Sequence, residues 1–125
     1  MIGDSITLHG TLSDYDAALV NEGGYSAEYR AKDGTTMYSL LIRHSKEKVA
    51  KGEVAMDRHN VQVTATFAPT TAFPNGHTAQ AYIVLRLPPA ADAAEAIDLV
   101  GMIVGVLKGP LDDYATVGQI LNWES

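Results

Sequence analysis

Arg58, Asn60, Gln62, Thr64 and Thr66 alternate with His59, Val61, Val63, Ala65 and Phe67. An extended chain sends successive side chains to opposite sides, so one side of this stretch carries a guanidinium, two amides and two hydroxyls, and the other is mostly apolar. Gln80 to Leu87 repeats the arrangement, with Gln80, Tyr82 and Arg86 set against Ala81, Ile83, Leu85 and Leu87. These residue types do recognition chemistry. A guanidinium forks onto phosphate, amides and hydroxyls meet base edges, and a tyrosine ring stacks on an unpaired base. Two neighbouring strands of this kind predict a sheet face that binds RNA.

Bond-making chemistry finds little support. The chain has no Gly-rich phosphate loop, no Gly-x-Ser-x-Gly elbow and no carboxylate pair at catalytic spacing, so no enzyme is predicted. It has no cysteine, which removes disulfides and thiolate metal sites. His44 and His59 share the parity of the apolar residues, with Asp57 near, and a small metal-binding domain is one alternative reading. Histidines satisfied within a sheet-helix or dimer contact are the commoner origin of such a pair, so no metal site is assigned. A dimeric adaptor without nucleic acid is the other alternative.

The formal net charge of -6 argues against a nucleic-acid partner until the charges are located. Eight of the nine basic residues fall between Arg30 and Arg86, against four acids there, Asp33, Glu47, Glu53 and Asp57. The flanks hold one lysine and eleven acids. Such segregation makes a basic sheet face on an acidic molecule.

The elements that must position these residues can be read in order. A chain of 125 residues, 46% hydrophobic, is expected to form a single domain over 1–125. Its first residues show no secretion signal, and the longest apolar run, Leu99 to Leu107, is far short of the roughly 20 residues of a membrane helix. No membrane partner is expected. Residues 1–20 read as a hairpin around Gly10, and Asn21 to Gly24 as a break. An antiparallel sheet over 24–87 follows, with strands at Gly24 to Arg30 and Thr36 to Ser45, a turn at Lys32 to Thr35, and an exposed loop from Lys46 to Glu53. In Thr36 to Ser45, Tyr38, Leu40, Ile42 and His44 oppose Met37, Ser39, Leu41 and Arg43, so the polar face is least polar there. The loop Ala68 to His77 is long for a hairpin and exposes Phe73, which suits either a plain surface loop or a subunit contact.

Beyond Pro88-Pro89 the period becomes helical, and two helices are expected within 91–121. The first runs from Ala91 to Lys108, with acids early and a lysine late to suit the helix dipole. Gly109-Pro110 ends it. The second occupies the segment Leu111 to Ser125, with Tyr114, Val117, Ile120 and Leu121 on one side. From Leu99 onward the first helix is apolar all round and must be covered on every side, while Gly101 and Gly105 would admit a close backbone. An antiparallel sheet followed by helices is an α+β domain. One sheet and a short helix cannot cover such a helix, which predicts an intimate homodimer.

Gly24-Tyr25-Ser26-Ala27-Glu28-Tyr29, Ile42-Arg43-His44-Ser45-Lys46-Glu47, the run Glu53 to Asn60 closing Asp57-Arg58-His59-Asn60-Val61, Gln80-Ala81-Tyr82 and the terminal Trp123-Glu124-Ser125 together resemble the coat proteins of single-stranded RNA bacteriophages, the leviviruses. The similarity is greatest to those of Caulobacter RNA phages. It implies an interlocked homodimer whose sheets join into one continuous antiparallel sheet inside a small icosahedral shell of T=3 type, with the helices laid across the partner. It further implies that the loop residues Pro69, Thr70, Thr71, Phe73, Pro74, Asn75 and Gly76 meet their copies around symmetry axes. Genomic single-stranded RNA would lie on the inner face, often as a hairpin whose binding represses replicase translation. The positions carried over for RNA binding are Ser39, Arg43, Arg58, Asn60, Gln62, Thr64, Tyr82 and Arg86, with Tyr82 at the family's base-stacking tyrosine. Leu41 and Val84 depart from the polar residues usual at their positions, which favours general packaging over hairpin-specific recognition. The resemblance places the protein in the virion, assembled in a bacterial host's cytoplasm. No cofactor is expected, although Asp14, Asp16, Asp112 and Asp113 are hard oxygen ligands suited to calcium between subunits.

Overall fold

The computed structural model describes residues 3–47, 50–52 and 54–123. Six strands precede two helices: β1 (Ser5–His9), β2 (Asp14–Gly23), β3 (Ser26–Asp33), β4 (Thr36–Lys46), β5 (Asp57–Phe67), β6 (His77–Leu87), α1 (Ala93–Lys108) and α2 (Ala115–Leu121). The strands lie side by side in chain order, each antiparallel to the next, as one six-stranded sheet. This is the α+β class expected. The chain divides into two compact units, the sheet in Met1–Pro88 and the helices in Pro89–Ser125.

Alternation sorts the sheet into two faces. Ala17, Tyr29, Ala31, Leu40 and Ile42 form the buried core, with Ile6, Leu8, Tyr15, Leu19, Ala27 and Tyr38 packed against it. All come from the apolar parity of β1 to β4. Tyr29 is fully buried and its hydroxyl donates to the Gly3 carbonyl at 2.6 Å, which satisfies the polar end of a ring otherwise held in the core. Tyr15 and Tyr38 stack with ring centroids 4.3 Å apart.

Several boundaries differ from those expected. The predicted break over Asn21 to Gly24 is continuous strand as far as Gly23, because a register shift between Leu19 and Asn21 absorbs the irregularity within β2. Gly24, at φ 57°, then turns the chain. Lys32 and Asp33 remain in β3, and Gly34 at φ 59° with Thr35 makes a two-residue turn. β4 continues to Lys46, paired with Asp57, and β6 begins at His77 because His77 pairs with Phe67 and stacks on its ring at 4.6 Å. Lys48, Val49 and Glu53 of the expected exposed loop, and the terminal Glu124 and Ser125, lie outside the described residues.

In the helical unit α1 starts at Ala93, two residues later than expected, because the Asp92 carboxylate accepts from the Ala94 amide at 3.0 Å and caps the first turn. Gly109, at φ 70°, ends it. The second helix is shorter than predicted. Asp112 and Tyr114 have φ of 53° and 58°, which no right-handed helix accommodates, and the Asp113 carboxylate accepts from the Ala115 amide at 3.0 Å where α2 begins. No residue of either helix is buried. Ile97, Leu99, Met102, Ile103 and Val106 expose between 46% and 72% of their surface, so within one chain the apolar helix stays uncovered. Nothing else in the helical unit lies within 4 Å of a Cβ built on Gly101 or Gly105, so both positions are open to a close backbone.

Candidate nucleic-acid interface

From β3 to β6 the register runs without a shift, so side chains form straight rows across the strands. One row is Ser45, Arg58, Arg86; the next is Ser26, Arg43, Asn60, Val84; then Glu28, Leu41, Gln62, Tyr82; then Arg30, Ser39, Thr64, Gln80. All eight predicted RNA contacts therefore lie on one face of β4 to β6. Arg30 and Lys32 on β3 share it, so five of the eight central basic residues converge. Lys46 pairs with Asp57 on the other face.

Hydrogen bonds orient much of this surface. Gln62 Nε2 donates to Thr64 Oγ1 and to Gln80 Oε1, both at 3.1 Å, while Gln62 Oε1 accepts from Arg43 at 3.3 Å. Glu28 accepts from Arg30 Nε and Ser39 Oγ, both at 3.1 Å. Arg86 forks onto Glu47 through two bonds of 2.6 Å. That bond chiefly holds the Glu47 carboxyl below the usual carboxylate range and raises Arg86 in turn. Among the described residues Arg58 forms no hydrogen bond, which leaves its guanidinium available for a ligand. Tyr82 is 60% exposed, its ring open to a stacking partner. Leu41 and Val84 sit half-buried within the polar rows, paired with Gln62 and Asn60.

A hollow of about 550 Å³ is lined from this face by Ser26, Arg43, Ser45, Arg58 and Asn60, and also by Tyr25 and His44. Asn60 Oδ1 is buried with no hydrogen-bond partner. Two guanidiniums beside the hollow suit an anionic ligand. Ser26, Ser45 and Tyr25 were not predicted. The first two have the polar parity, a signal present in the sequence; Tyr25 reaches the hollow from the β2–β3 turn, which alternation does not resolve.

The loop between β5 and β6 is built by its own bonds. The Thr70 amide donates to the Phe73 carbonyl at 2.9 Å, the Phe73 amide to Thr70 Oγ1 at 3.2 Å, and the Gly76 amide to the Phe73 carbonyl at 2.9 Å. Phe73 rests 4.3 Å from the His77 ring and remains 49% exposed, with Pro69, Thr70, Thr71, Pro74 and Asn75 also exposed. Of the acids considered for calcium, Asp14 pairs with His9 at 3.1 Å, Asp16 accepts from Thr7 at 3.0 Å and Asp113 serves α2. Among the described residues no group of three or more His, Cys, Asp or Glu side chains is placed to hold a metal ion. No described helix is long and apolar enough to cross a membrane.

The family model for the coat protein of phage phiCb5 matches residues 3–88, the length of the sheet unit. No curated protein matches the chain. Among solved structures, the bacteriophage EMS014 coat protein shares 14% identity, covers 99% of this chain and 98% of its own, and gives a TM-score of 0.71. The virus-like particle of Beihai levi-like virus 21 shares 12% identity over 97% and 94%, with a TM-score of 0.64. An unassembled bacteriophage coat protein dimer, described as RNA-binding, shares 14% over 97% and 94%, with a TM-score of 0.54. At such identities these likenesses establish the fold.

Proposed function

The chain belongs to the phage phiCb5 coat protein family, a capsid protein of a single-stranded RNA phage, and we propose that its polar sheet face binds and packages the genomic RNA. The observation that carries this reading is the gathering of Arg30, Lys32, Arg43, Arg58 and Arg86 with Asn60, Gln62 and Tyr82 on one face of a chain whose net charge is -6. Phosphates would meet the guanidiniums, and an unpaired base would stack on Tyr82. The apolar Leu41 and Val84 favour general packaging. A hairpin that represses translation would use the same face.

The working unit in this reading is an interlocked homodimer, with the uncovered apolar surface of α1 and the half-exposed Val61 and Val63 as its support. Dimers would close into a T=3-type shell in the cytoplasm of a bacterial host, with Pro69 to Gly76 at contacts between dimers. Calcium between subunits would draw on Asp14, Asp16, Asp112 and Asp113 from more than one copy. No catalytic role is proposed. Electron microscopy of the expressed protein, with nucleic acid extracted after nuclease treatment, tests the proposal. Closed shells protecting RNA are expected; a dimer that never assembles and carries no RNA would return the adaptor reading to first place.

A further inference from the structure

His44 on β4 and His59 on β5 are register partners on the face opposite the RNA candidates, and their Nδ1 atoms approach to 2.8 Å. The rings meet edge to face with centroids 5.1 Å apart. With no ion bound, one ring donates Nδ1–H and the other accepts. Two imidazole nitrogens this close are also a donor pair for a late first-row dication. With metal–nitrogen bonds of about 2.0–2.1 Å, neighbouring positions of a tetragonal site lie about 2.9 Å apart and those of a tetrahedral site about 3.3 Å. The hydrogen-bonded separation of 2.8 Å needs to open by only about 0.1 Å to reach the first, and by about half an ångström to reach the second.

We infer that His44 and His59 form a two-histidine chelate for a tetragonal divalent metal, copper(II) foremost because it heads the affinity order for nitrogen donors. A hollow of about 140 Å³ adjoins the rings, lined also by Tyr25, Ser45, Lys46 and Asp57, and gives water room to complete the coordination. The Asp57 carboxylate there favours a cation, while Lys46, its register partner, opposes one and limits the affinity. Binding requires the donor ring's proton to move from Nδ1 to Nε2, so that both rings meet the metal as neutral imidazoles through Nδ1. Because the chelate bridges two strands of one chain on the face away from the RNA, it stands whether or not that face binds RNA.

The test is titration of the purified protein with copper(II) sulfate at neutral pH, read by electron paramagnetic resonance. One copper per chain with two equatorial imidazole nitrogens is expected in the unaltered protein. A spectrum with one or no imidazole nitrogen overturns the inference without any variant. His44→Gln and His59→Gln should each weaken binding by on the order of tenfold or more and change the spectrum, whereas His9→Gln and His77→Gln should not. Retention of the two-nitrogen signal in either of the first pair, or its loss in either of the second, equally overturns it.

Discussion

Arg86 and Arg58 are register partners on the polar face, yet their situations differ: Arg86 is held by Glu47 at 2.6 Å, and Arg58 has no hydrogen bond among the described residues. Glu47→Gln should free the Arg86 guanidinium, so single-stranded RNA should bind more tightly and the logarithmic salt slope should steepen by about 0.7. Filter binding at several salt concentrations measures both, and unchanged affinity would remove Arg86 from the interface. The pH dependence follows from the same bond. The Glu47 carboxyl is held low when folded, so the pair contributes above the carboxyl's unfolded pKa and the contribution is lost as pH falls through the lower folded value. Arg86 is solvent-exposed and Glu47 half-buried at the surface, so the stability effect is small, and the substitution weakens the pair at neutral pH where acid is not needed. Tyr82→Ala should cost about 1–3 kcal/mol in binding a looped RNA and leave the salt slope nearly unchanged. Its fold stability should stay within about 0.5 kcal/mol of the parent. If denaturation showed the fold lost and binding assays showed RNA affinity intact, Tyr82 would be a structural residue only.

At the scale of elements, strands were legible because period-two alternation survives single-residue uncertainty, and the unshifted register from β3 to β6 turned four separate alternations into one face. What alternation omits is what joins strands. The bulge that keeps Asn21 to Gly23 in β2 arises from pairing with β3, and the His77–Phe67 stack that extends β6 is a cross-strand contact; neither is local to its own sequence. The start of α1 had a readable signal in Asp92, an N-cap type at the second position of the expected helix. The shortening of α2 depended on the left-handed Asp112 and Tyr114, the second a residue type that rarely adopts that conformation. Ser26 and Ser45 show the limit for the site: their parity was legible, their place around the hollow was not. Gly76 is the element-scale test of the β5–β6 loop. It sits at φ 76°, and a Cβ there would lie 2.5 Å from the Phe67 carbonyl oxygen. Gly76→Val should destabilise the protein by more than about 1 kcal/mol in chemical denaturation. Equal stability would show that the loop can be rebuilt without cost. Asp92→Ala should cost about 1 kcal/mol through loss of the α1 cap, read by the same denaturation curve.

For the whole molecule, the sheet unit has its own core while neither helix has a buried residue, so the proposed homodimer is where the helices' apolar surface is covered. Removing Thr71 to Asn75 should leave the dimer folded and disturb shell closure, since these residues are exposed and outside the core; normal shells on electron micrographs would remove the loop from the contacts between dimers. The central claim is that the polar sheet face holds RNA by phosphate contact, and the salt dependence of binding tests it most directly. Arg58→Ala and Arg43→Ala dimers, kept from assembling, should each bind a single-stranded RNA more weakly than the parent, with the logarithmic salt slope reduced by about 0.7 for each contact removed. Parent affinity and parent slope in both variants would contradict the assignment of this face to RNA.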